Sequence, residues 1–264
     1  MNTQNNYKLQ FHNQPYPTLS QFNSLLKHLT KTEFQQLLHF QQRDPFGQPL
    51  KSHENPKCIE YCLMRALRSE FYEKYHLDAS LNQPNLYGKY DIHSDKNIHY
   101  NWSHDSFVAF LEGSKEVGVD IFNTERFNNK PFHLFYDNLK GFLTSKEQQK
   151  IEECGNDDKM KTMIFGKIWC CKEAFVKTIG IGLNDIISTF DIDLDCEIHQ
   201  IESSSFETNK ENTIDISQWY NCTYQYNGQD VYLYIVLIDQ KYYCAFGLFD
   251  KINEIKIELR NIFE

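Results

Sequence analysis

Residues 165–183 read FGKIWCCKEAFVKTIGIGL, and the rest of the chain is interpreted outward from their spacing. At 100° per residue, Ile164, Phe165, Ile168, Trp169, Phe175, Val176 and Ile179 fall on one continuous arc, the pattern of a core-facing helix. Gly180 and Gly182 stop it, the first well placed as a helix C-terminal residue. Lys172 lies near the middle of the apolar arc. An ammonium directed at packed side chains loses hydration unless an anion compensates it, and a phosphate would do so. Glu173 and Lys177, four residues apart, share one side of the helix. As a solvated pair they would contribute about 0.2–0.5 kcal/mol, with Lys172 snorkelling past its neighbours. Beside a bound anion, the same residues place a carboxylate between two ammonium groups.

Upstream, a helical stretch starts near Ser145, is interrupted near Gly155-Asn156 and resumes through 160–179. Before it, Ile98–Trp102, Phe107–Leu111 and Val117–Phe122 read as short strands, the last two joined as a hairpin by Gly113-Ser114-Lys115. Asn101-Trp102-Ser103-His104-Asp105 falls between strands, where side chains can converge on a ligand, although a His or Asp in such a turn more often serves the turn itself. In Val117-Gly118-Val119-Asp120-Ile121 the aspartate alternates with apolar residues, so it faces away from Val119 and Ile121. There it serves as a strand-end hydrogen-bonder or, beside a phosphate, as an oxygen ligand for Mg²⁺. Further upstream, 20–41 and 57–77 read as helices around an Asp44–Pro49 turn cluster. Downstream, Phe190–Leu194, Gln218–Tyr226, Val231–Ile238 and Lys241–Phe249 read as strands, with a turn at Asp239-Gln240 and a polar loop over 202–213. Ser106–Leu111 and Tyr242–Gly247 echo one another, as two related α+β halves would.

Composition narrows the function. The 264 residues carry 27 Lys and Arg against 36 Asp and Glu, a net charge of −9 that argues against a generic nucleic-acid coat. A 41% hydrophobic and 15% aromatic content belongs to a folded chain. The longest apolar run, Val231–Ile238, is far short of the roughly 20 residues of a membrane span, and the polar N-terminus has no signal-peptide pattern. Eight cysteines without a CxxC pair suit reduced core thiols in the cytoplasm. His53, Cys58 and Cys62 fall within ten residues but lack a fourth ligand at zinc-site spacing.

Three ordered motifs carry a resemblance. Trp102-Ser103-His104, Gly118-Val119-Asp120-Ile121 and W-x-x-K-E-A-x-x-K-x-x-G-x-G-L at 169–183 together resemble the motifs of the 4′-phosphopantetheinyl transferase superfamily. The two-half form of the aminoadipate-semialdehyde-dehydrogenase type is most similar. Gly88-Lys89 resembles the family's Gly-Lys-Pro segment, with Tyr90 in place of proline. The resemblance covers roughly residues 60–195.

It implies an α+β fold of two similar halves related by a pseudo-twofold, residues 1–116 and 117–264, with a ligand cleft between them. It further implies Mg²⁺-dependent transfer of the phosphopantetheine arm of coenzyme A to a serine of an apo acyl or peptidyl carrier protein, releasing adenosine 3′,5′-bisphosphate. By motif position, Asp120 and Glu173 would hold Mg²⁺, and Lys172 and Lys177 would neutralise phosphate oxygens. Ser103 and His104 would hold the nucleotide end, while Lys89 and Arg65 would add positive charge around the coenzyme. Glu173 or a water would take the serine proton. Many members continue the second motif as Asp-x-Glu; here Phe122 stands at the acidic position, and Asp105 is the expected substitute ligand. The alternative is a catalytically impaired coenzyme-A-binding or protein-interaction module. A monomer suffices for two internal halves, and neither nucleic acid nor membrane is expected as a partner. Residues 140–180 carry 8 basic and 6 acidic groups, whereas 181–264 carry 5 and 15, so an acidic carrier is expected around Lys140–Lys161.

Overall fold

The computed structural model describes residues 8–12, 17–40, 51–80, 85–86, 89, 92, 96–105, 108–127, 131–183, 185–192, 198–199, 216–238, 241–252 and 256–259. The expected turns at 44–49 and 239–240, the 202–213 loop, Gly88, Tyr90, Cys196 and Ser106-Phe107 lie outside the described residues.

Among the described residues nine strands form two sheets. The first contains β1 (Lys8–His12), β2 (His99–His104), β3 (Val108–Gly113) and β9 (Lys256–Leu259), in the order β2-β3-β1-β9. The second contains β4 (Val117–Asn123), β5 (Ile198–His199), β6 (Ile216–Tyr226), β7 (Gln229–Ile238) and β8 (Tyr242–Leu248), in the order β4-β8-β7-β6-β5. Apart from the parallel β1–β9 pair, the pairings among the described residues are antiparallel. Asn227-Gly228, with φ of 50° and 78°, makes the tight β6–β7 turn.

The helices are α1 (Leu19–Leu26), α2 (Lys31–Leu37), α3 (Pro56–Tyr75), α4 (His133–Leu139), α5 (Ser145–Glu152) and α6 (Asp158–Ile179). Together with the sheets they give the expected α+β class, arranged as four layers. α3 packs Leu67 and Phe71 on Tyr100, Val108 and Phe110 of the first sheet. That sheet's opposite face, with Leu9, Ala109 and Leu111, meets Val119, Ile121, Val236 and Phe246 of the second. The second sheet's outer face, with Phe122, Leu233, Ile235 and Ala245, is covered by α6. The described parts of the two echo segments lie on β3 and β8, each one strand in from β2 or β4 at the end of its sheet.

Three expectations are corrected. The 20–41 helix is two helices, because Thr30 and Glu33 form a capping box that starts α2 afresh. β3 and β4 are not a hairpin: β3 pairs with β1 and β2 while β4 pairs with β8, so residues 114–116 carry the chain between sheets. The described part of the 190–194 strand is irregular; it follows a 3₁₀ turn at Asp185–Ser188, and its Ile192 amide N–H donates to Glu147 Oε1 at 2.7 Å instead of to a neighbouring strand.

Candidate active site

α6 lies directly across β4, and glycines set how closely. A Cβ on Gly118 would stand 2.3 Å from both the Ala174 carbonyl oxygen and the Thr178 nitrogen. Gly247, opposite Gly118 in the β4–β8 register, would bring a Cβ within 2.2 Å of Thr178 Oγ1. Only hydrogen at these two positions lets the helix backbone settle onto the sheet. Gly118, Asp120 and Phe122 therefore face α6, while Val117, Val119 and Ile121 enter the inter-sheet core, the alternation expected from the sequence.

This seating brings Asp120 to Lys177. Lys177 Nζ donates to Asp120 Oδ1 at 2.6 Å and to the Val119 carbonyl at 3.1 Å. Ser103 Oγ donates to the same Asp120 oxygen at 2.7 Å. The Ser103 contact belongs to a series, because Asn101, Ser103 and Asp105 recur at the two-residue period of a strand and its exit. Asn101 Oδ1 accepts the Val119 amide N–H at 3.1 Å, and Asp105 Oδ2 accepts that of Asn123 at 2.8 Å. Backbone donors along β4 are thus satisfied by side chains from β2 and from the residue that follows it. Cys170 Sγ supports Asp120 from behind, 3.1 Å from its carbonyl oxygen.

Glu173 stands one helical turn before Lys177 and completes the cluster. Burial, followed by the charge of Asp120, raises its carboxyl to about 7, against the opposing pull of Lys177. For Lys177 itself, burial favours the neutral amine, but the Asp120 and Glu173 charges outweigh it and raise its pKa. Two carboxylates with one ammonium make a place short of positive charge. Its hard oxygen donors fit a cation such as Mg²⁺, which binds proteins through one or two carboxylates and keeps several waters. Among the described residues no group of three His, Cys, Asp or Glu could hold a metal, so Asp105 is not brought together with Asp120 and Glu173.

The remaining predicted residues have other partners. Lys172 is fully buried and points away from Asp120. Its Nζ donates to the carbonyls of Ile187 at 2.6 Å and Phe190 at 2.7 Å and lies 3.0 Å from Glu147 Oε2. The expectation that it meets a coenzyme phosphate is therefore corrected. The buried ammonium does have its compensating anion, but that anion is Glu147 of α5. Burial lowers the Lys172 pKa, with Glu147 opposing. Thr144 and Glu147 form the α5 capping box, a spacing visible in the sequence, although nothing in the sequence aims Glu147 at Lys172.

Ser103 is buried on Asp120 and meets no nucleotide through that contact. His104 is half-exposed, with Nδ1 2.9 Å from Glu60 Oε2. Arg65 stacks over the Tyr61 ring at 3.4 Å and lies 3.4 Å from Glu33, which also binds Arg68 at 2.8 Å. Lys89 donates to Glu116 and, at 3.0 Å, to the Thr178 carbonyl. Phe122, in place of an acidic residue, is core: its ring packs on Gly166 and edge-on to Phe165. All seven described cysteines carry free thiols. Among the described residues no helix is long and apolar enough to cross a membrane.

Residues 116–245 match the family model of the 4′-phosphopantetheinyl transferase superfamily. The L-aminoadipate-semialdehyde dehydrogenase-phosphopantetheinyl transferase of Xenopus laevis is 33% identical over 88 residues, 33% of this chain and 29% of the relative. Its Homo sapiens counterpart is 31% identical over 100 residues, 37% of this chain and 32% of the relative. The 4′-phosphopantetheinyl transferase gsp of Aneurinibacillus migulanus is 28% identical over 162 residues, 58% of this chain and 62% of the relative. The alignments thus span about a third of the first two relatives and under two thirds of the third.

Proposed function

We propose that this chain, which belongs to the 4′-phosphopantetheinyl transferase superfamily through residues 116–245, moves the phosphopantetheine arm of coenzyme A onto a serine hydroxyl of an apo carrier protein. The observation that carries the reading is the convergence of Asp120, Lys177 and Glu173 where α6 crosses β4. All three lie within the family match.

The residues divide the work by their surroundings. Asp120, with two donors on Oδ1, is the hydrogen-bonded member of the carboxylate pair. Glu173, raised to about 7, has the proton affinity that a general base needs near neutral pH. Glu173, or a water beside it, would take the proton of the weakly nucleophilic serine as the hydroxyl attacks phosphorus. Lys177, held by Asp120 and Val119, presents a fixed positive charge to a phosphate oxygen. Asp120 and Glu173 would hold Mg²⁺, which when bound screens the pyrophosphate and the developing charge on the leaving phosphate. His104, half-exposed beyond Ser103, is the candidate for the 3′-phosphate of the nucleotide.

An acidic carrier would approach near Lys140–Lys161, where Leu134 and Met160 are exposed beside the start of α6. The chain would act in the cytoplasm as a monomer of two halves. A second reading, a coenzyme-A-binding module with impaired chemistry, draws on Phe122, whose burial against Gly166 removes one acidic ligand.

Mass spectrometry separates the two readings. Incubation with coenzyme A, Mg²⁺ and an apo carrier should add about 340 Da to the carrier, one covalent arm of the group-carrier type. Asp120→Ala or Glu173→Gln should slow that addition by at least about 10²-fold. Coenzyme binding without any mass addition would establish the impaired module instead.

A further inference from the structure

The C-terminal turn of α6 leaves backbone carbonyls that no helical N–H can reach. Val176 O accepts the N–H groups of Gly180 and Ile181. Two carbonyls beyond it are met from a distant segment: Lys89 Nζ donates to Thr178 O at 3.0 Å, and Asn85 Nδ2 donates to Gly180 O at 3.3 Å. Asn85 and Lys89 are tied to each other, Asn85 N–H to Lys89 O at 2.7 Å and Lys89 N–H to Asn85 Oδ1 at 3.1 Å. The Lys89 ammonium is also ion-paired to Glu116, the residue immediately before β4. His99 Nδ1 holds the other Glu116 oxygen at 2.9 Å. Burial raises the Glu116 carboxyl, but His99 and Lys89 outweigh it and bring it down to about 2.

We infer that Lys89 is a positioning residue that pins the C-terminal end of α6 to the start of β4 and so sets the distance between Lys177 and Asp120. Thr178, whose carbonyl it holds, follows Lys177 directly, and Glu116 precedes Asp120 by four residues. Between these ends, Thr178 sits on Gly118, where the absence of a Cβ permits sliding as well as close approach. The glycine seat supplies contact but little resistance along the helix axis; the Lys89 bridge supplies that resistance. A cation at a helix C-terminus is also favoured by the helix dipole. With its side chain only 9% exposed and its ammonium committed to Glu116 and Thr178, Lys89 acts through α6 and not on the coenzyme.

The kinetic arm of the test rests on the transferase reading, and the exchange arm does not. In the full chain, Lys89→Met should speed hydrogen exchange of the Gly180 and Ile181 amides about tenfold, the scale of one charge-assisted hydrogen bond, relative to amides at Ile168–Ala174. Glu116→Gln, which keeps the shape and removes the charge, should shift the same amides in the same sense and serves if Lys89→Met does not fold. In the transfer assay, Lys89→Met should lower kcat about tenfold with KM for coenzyme A changed by less than about threefold. Unchanged exchange at Gly180 and Ile181 in folded variants would overturn the inference. So would a raised KM with kcat intact, the signature of a direct coenzyme contact. If the wild-type chain transfers nothing, the transferase reading fails, and the exchange measurement still decides the role of Lys89.

Discussion

Phe122 and Gly166 form one packing unit: a Cβ on the glycine would stand 2.4 Å from the Phe122 ring. The ring occupies the position where many superfamily members carry a carboxylate, and the helix opposite has given up a side chain to admit it. Gly166→Ala gains about 1 kcal/mol of helix propensity but forces ring or helix to move, at a cost of about 1–3 kcal/mol. The clash is the larger effect, so urea denaturation should show net destabilisation. With Phe122→Ala in the background, the same substitution should become stabilising. A stabilising Gly166→Ala in the wild-type chain would contradict the packing.

Glu173 makes stability fall as pH rises. Its folded carboxyl titrates at about 7 against an ordinary 4.5, so the folded protein binds the proton more tightly than the unfolded chain. Between about 4.5 and about 7 the unfolded chain loses its proton first, and stability declines across that window; above it the loss is complete. In EDTA, Glu173→Gln should therefore gain on wild type as pH rises, reaching about 1–3 kcal/mol. Parallel stability profiles from pH 4 to 8 would refute the assignment.

Mg²⁺ should narrow that gap. A cation at a hundred times its Kd stabilises the folded form by about 2.7 kcal/mol, and the thermal shift should be large for wild type and small for Glu173→Gln and Asp120→Asn. Equal shifts in all three proteins would place any bound cation elsewhere.

Lys172 should prove structural. Lys172→Met strands Glu147 in the core and should cost about 3 kcal/mol or more, most of it recovered by adding Glu147→Gln. Titration calorimetry on the folded double variant should give coenzyme A affinity within about threefold of wild type. A tenfold loss would restore Lys172 to the phosphate site.

His104→Ala should weaken coenzyme A more than its dephospho form. Equal losses, measured by the same calorimetry, would show that the ring stays on Glu60 and never meets the 3′-phosphate.

The helix 158–179 was legible in its period-3.6 apolar arc, and Asp120 in its period-2 alternation, because both patterns are local. The order of the motifs between 88 and 121 and the spacing of 169–183 sufficed to suggest the family. What failed was partner choice. The β3–β4 turn looks like a hairpin, yet the strands enter different sheets, because pairing depends on strands far away in sequence. A buried lysine demands an anion wherever it lies, but only the folded chain shows that Glu147, 25 residues upstream, supplies it.

The sequence by itself determined the α+β class, the helix that bears Glu173 and Lys177, and the need for negative charge around Lys172, since periodicity and desolvation are properties of residues and their near neighbours. The tertiary structure alone decided which oxygen each ammonium meets: Asp120 for Lys177, Glu147 for Lys172, Glu116 and Thr178 for Lys89. Ion pairs act over a few ångströms: the seating of α6 on Gly118 and Gly247 brings Lys177 to Asp120, and the packing of α5 on α6 brings Glu147 to Lys172.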